Sequence, residues 1–109
     1  MANIMSDGDW VAATGLYADE CHRKAAEYEA ANRLSDSSYY RASEVAARQG
    51  VIVEPRSEEL RNPEFMFSHQ HLFAEATRRN AWVPYTQAAS PEGLRLAPYG
   101  CGAAKAAAG

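Results

Sequence analysis

Large aliphatic side chains are scarce in this sequence. Leu, Ile, Val and Phe together supply sixteen of 109 residues, below the ~20% at which a chain starts to read as disordered when its net charge is also high. The net charge here is only −3, so the composition describes a foldable chain with a thin core. Cysteine is nearly absent. Cys21 and Cys101 stand far apart with no CxxC spacing, which excludes a disulfide-dense scaffold and favours free thiols in a reducing compartment. A basic excess is also missing, as eleven Lys and Arg face fourteen Asp and Glu. Nucleic-acid binding through a direct basic patch is therefore not expected. No apolar run approaches the ~18 residues of a membrane span, and the opening Met-Ala-Asn-Ile-Met-Ser-Asp has neither the basic nor the apolar region of a secretory leader. The expected location is the cytoplasm, or a virion if the gene belongs to a phage. The length suits one small domain, with or without an arm.

What is abundant is alanine, with 22 residues, beside six Tyr and two Trp. The pattern predicts a mainly α fold: a helical hairpin plus a third helix, with an extended, largely irregular C-terminal arm. Residues 1–80 form the expected three-helix domain, and residues 81–109 the arm and its Ala/Gly tail. Helix one is expected over about 8–33, capped at Ser6. Trp10, Ala13, Tyr17, Cys21, Ala25, Tyr28 and Ala31 line one face at steps of three and four. Gly15 interrupts it as a kink or a close crossing. Helix two should start at an N-cap Ser35, with Leu34 and Tyr39 spaced as a hydrophobic staple. It should end at Gln49 with Gly50 in the left-handed position. Its small inner residues Ala42, Ser43 and Ala46 suggest closely packed axes.

Residues 51–56 read as an extended connector or short edge strand, and Ser57–Leu60 as one helical turn. Asn62 and Pro63 open helix three. Phe65, Met66, His69, Leu72, Phe73 and Ala76 form its apolar face, and Asn80 closes it. Trp82–Tyr85 should be extended because of Pro84, and Ser90–Gly93 matches a type I turn.

No constellation of residues carries chemistry convincingly. His69 and His71, two apart on a helix, point about 200° apart and cannot share a metal. His71 with Glu75 could, completed by Cys21 or His22, but the pair reads better as an exposed i, i+4 contact. His69 reads better as a core histidine bonded to a carbonyl. Cys21 falls on the buried face, and Cys101 has no local base. The acidic pairs Asp19–Glu20 and Glu58–Glu59 read as solvated surface. Neither a catalytic set nor a cofactor or metal is expected.

Unspent apolar surface is the more informative feature. Phe67 and His71 lie on a second face of helix three, and Trp82, Tyr85, Leu94, Leu96 and Tyr99 punctuate the arm. Aromatic side chains on an irregular arm either fold back over the three helices of their own chain and complete its core, or anchor a partner surface. These seven are the expected partner-binding residues, the partner being another protein or copies of the same chain. The functional expectation is a non-enzymatic interaction or assembly protein, such as a small structural subunit of a bacterial or bacteriophage particle. The alternatives are a small regulator or inhibitor docking on a larger host enzyme and, less favoured, a small metal-binding enzyme.

Overall fold

The computed structural model describes residues 4–89. The turn expected at Ser90–Gly93, the arm residues Leu94, Leu96 and Tyr99, Cys101 and the tail lie outside the described residues. Helix α1 spans Asp7–Ala30. The Ser6 hydroxyl accepts the Asp9 N–H at 3.0 Å, and Asp7 and Asp9 sit in the first turn, where the exposed N–H groups favour acids. The helix ends earlier than its apolar pattern suggests. Asn32 turns left-handed, φ 59°, and the Arg33 N–H reaches back to the Tyr28 carbonyl at 2.8 Å. Asparagine tolerates that conformation and closes a Schellman turn.

Helix α2 consequently starts at Leu34 and runs to Arg48, with Arg33 in place of Ser35 at the N-cap. No staple forms, because Leu34 is 62% exposed. The α2 terminus is as expected: Gly50 has φ 84°, and the Val51 N–H bonds the Ala46 carbonyl at 3.1 Å. The two helices form a hairpin. Trp10, Thr14, Tyr17, Ala18, Cys21 and Ala25 are the buried residues of α1, and Tyr39, Tyr40, Ser43, Ala46 and Ala47 are among those of α2. Ala31, expected on the inner face, is exposed. Gly15 is no crossing point either, since a methyl group there would meet nothing within 4 Å.

Strand β1, Ile52–Val53, pairs in parallel with β2, Trp82–Val83. The Ile52 N–H donates to the Ala81 carbonyl at 2.9 Å and the Glu54 N–H to the Val83 carbonyl at 3.0 Å. Between the strands lie α3 (Ser57–Leu60), α4 (Pro63–Ser68) and α5 (Gln70–Arg79). Past β2, the residue after Pro84 is not extended: α6 covers Tyr85–Ala88 and packs against α2. Ala81, Val83 and Ala88 are buried, so the packed body continues through them.

The expected third helix is two helices. Asn62 caps α4 by accepting the Phe65 N–H at 3.1 Å, with Pro63 in the first turn, and Asn80 ends α5 in the left-handed region. The break falls at His69, whose backbone leaves helical geometry at φ −111°, ψ 13°. Its own ring accounts for the break. Nδ1 lies 2.7 Å from the Phe65 carbonyl, which the His69 N–H also approaches, at 3.2 Å. A side chain that claims an i−4 carbonyl bends the helix at that point.

Candidate functional site

His69 occupies the most chemically distinctive position. It is 9% exposed and ringed by Tyr17, Phe65 and Phe73, with ring centroids at 5.2, 4.3 and 5.5 Å. Nδ1 faces the Phe65 carbonyl, and Nε2 faces the Glu20 carboxylate, 3.0 Å from one oxygen and 3.1 Å from the other. Both ring nitrogens thus meet acceptors. A neutral imidazole has one N–H and can satisfy only one of them; the imidazolium satisfies both. Burial disfavours the charged ring, but the Glu20 carboxylate and the Phe65 carbonyl outweigh it, and the His69 pKa is raised. The hydrogen bond from His69 lowers that of Glu20 against the effect of burial.

A polar pocket of 310 Å³ opens beside this pair, lined in part by Lys24, Glu64 and Ser68. Since both imidazole nitrogens are engaged, the ring has no lone pair free to activate Ser68. The expected core histidine with a carbonyl partner is therefore found. Its carboxylate partner, 49 residues away, gave no local signal.

Two further ionic groups are built into the body. Glu59 is 5% exposed. It receives the Tyr40 hydroxyl at 2.9 Å and Arg56 at 2.6 and 2.8 Å. Arg56 also holds Asp36 at 2.7 Å and lies over the Tyr39 ring. Burial opposes ionisation of Glu59, but the bonds from Arg56 and Tyr40 prevail and its pKa is lowered. Of the two acidic pairs expected at the surface, only Asp19 and Glu58 are exposed, while Glu20 and Glu59 are engaged inside.

The expected exposed pairing of His71 with Glu75 is also corrected. Glu75 is 2% exposed and is held by Arg78, by Arg79 at 2.7 Å and by the Met5 N–H at 3.4 Å. The Arg78 hydrogen bond is the largest influence on its carboxyl, whose pKa drops to about 2. Arg79 covers the Trp10 ring and reaches Asp7 at 3.0 Å.

The metal alternative loses its geometry in consequence. Glu75 is occupied, His71 is exposed, and Cys21 is fully buried with its thiol pushed up to about 12 by burial. His22 meets Glu44 at 3.2 Å. Among the described residues no three His, Cys, Asp or Glu side chains gather as a metal would require.

The expected partner-binding residues separate into groups. Phe67 is 71% exposed and His71 is exposed. Trp82 and Tyr85 are half-buried on their own chain. The Trp82 ring packs 5.3 Å from Phe73 and its indole N–H donates to the Thr77 hydroxyl at 2.9 Å, while Tyr85 lies 5.7 Å from Tyr39. Trp82 still presents an edge to a shallow groove of 290 Å³ shared with Glu54, Pro55 and Leu60.

Fourteen of the sixteen Leu, Ile, Val and Phe side chains fall among the described residues. Seven are buried and seven exposed, the exposed set being Ile4, Val11, Leu16, Leu34, Val45, Leu60 and Phe67. Sequence reasoning overlooked Val11 and Leu16, although both stand off the Trp10–Tyr17–Cys21 stripe and a helical wheel places them outward.

No family model matches the chain, and no curated protein or solved structure matches it. Among the described residues no helix is long and apolar enough to cross a membrane.

Proposed function

We propose that this chain is a non-enzymatic protein–protein interaction subunit, acting through apolar side chains held outward on a rigid helical body. The observation that carries this reading is the even division of its few large apolar residues. A chain short of core material leaves half of those described in water, including a phenylalanine 71% exposed between the buried Phe65 and Phe73. Single exposed apolar residues are ordinary, but grouped ones mark docking surfaces. Leu60 shares a groove with Pro55 and Trp82. The titratable groups give further support, because His69, Glu59 and Glu75 are each engaged in bonds that hold the body together.

Quantitative affinity capture from the host, comparing the intact chain with Phe67→Ser, tests the proposal. The substitution should change stability by no more than about 0.5 kcal/mol and deplete a specific set of captured proteins. Identical capture by both chains overturns the assignment of this surface to a partner.

A further inference from the structure

The solvent face of α1 carries a self-complementary pattern. Asp9, Leu16 and Arg23 stand at i, i+7 and i+14, on one line along the helix, opposite the buried Thr14, Cys21 and Ala25. Leu16 is 72% exposed and Val11 68%. Ala12, one turn before Leu16 on the same side of the helix, has a small side chain that lets another helix approach closely, whereas Val11 lies about 140° round the helix, in a groove with Gly15, Arg48 and Gly50. Asp9 and Arg23 are both exposed, and neither has an ion-pair partner among the described residues.

We infer that α1 pairs with α1 of a second copy, antiparallel and crossing at Leu16. In that arrangement Leu16 meets its symmetry mate. Asp9 of each copy faces Arg23 of the other, so one two-fold axis generates both ion pairs. The parallel alternative sets Asp9 against Asp9 and Arg23 against Arg23, which like-charge repulsion disfavours. Charge thus selects both the partner and its direction. The inference deepens the interaction reading by naming a second copy as partner, and it uses a different element from the one that bears Phe67.

Sedimentation equilibrium of the full chain should show a species of twice the 11.9 kDa chain mass, weakening as salt is raised. Leu16→Glu should give a monomer with unchanged helical circular dichroism. Arg23→Glu should raise the dissociation constant by about tenfold or more, and adding Asp9→Lys to it should recover most of that loss. Phe67→Ser should remain dimeric, so that failure of the Phe67 surface and failure of the α1 pairing can be told apart. A monomer at every concentration, a dimer unaffected by Leu16→Glu, or a double variant no tighter than Arg23→Glu alone overturns the inference.

Discussion

His69 shows how one side chain can set both backbone shape and charge. Its ring breaks the helix at the α4–α5 junction by bonding the Phe65 carbonyl, and its other nitrogen ties that junction to Glu20 on α1. The shifted pKa values make this link pH-dependent. His69 is raised, so its contribution is complete below the free imidazole value of about 6.5 and is lost as pH climbs through the folded value. Glu20 is lowered, so its contribution is complete above the free carboxylate value of about 4.3 and is lost as pH falls through the folded one. The pair should therefore stabilise the chain most between those limits. Urea midpoints of the intact chain should decline as pH rises above the free imidazole value of about 6.5, and His69→Gln should flatten that limb; superimposable limbs above that pH would show that the ring is not charged in the fold. The histidine's burial was legible from its place on an apolar stripe. Its counter-charge was not, because nothing local links residue 69 to residue 20.

Helix ends were the most legible elements, since each is decided by a few adjacent residues. Ser6, the Asn62–Pro63 pair, Gly50 and Asn80 all act as their chemistry suggests. Asn32 was missed because Ala30 and Ala31 before it continue a helical composition, and only the left-handed backbone of the asparagine marks the stop. Gly50 has a second task that ties two elements together. Its carbonyl accepts the Trp10 indole N–H at 3.1 Å, joining the end of α2 to the start of α1. Gly50→Ala would force an L side chain into a left-handed turn and should lower unfolding free energy by about 1–2 kcal/mol, measured by chemical denaturation. No measurable loss would mean that the turn can relax without disturbing Trp10.

At the scale of the molecule, the thin core anticipated from composition is real, but tyrosine, tryptophan, alanine and enclosed ion pairs compensate for it. Tyr39 and Tyr40 are the largest fully buried side chains. The burial of Glu59 and Glu75 could not be read from the sequence, because acids next to arginines normally describe a wet surface. Nor could the parallel pairing of β1 and β2, two-residue strands too short to leave a periodic signature.

That pairing has a mechanical consequence. Ile52 and its partner Trp82 are thirty positions apart, and α3, α4 and α5 all lie inside the loop they close. The pairing works as a buckle on a belt. Because Ile52 and Val83 are wholly enclosed, undoing it should require dismantling the whole molecule. The Ile52 amide proton should then exchange with deuterium only as fast as the chain unfolds globally; exchange at the rate of a fraying terminus would mean that the buckle opens alone. A belt fastened in this way cannot shed one of its helices and keep the rest, so the segment from Ile52 to Val83 should be lost or kept as a unit.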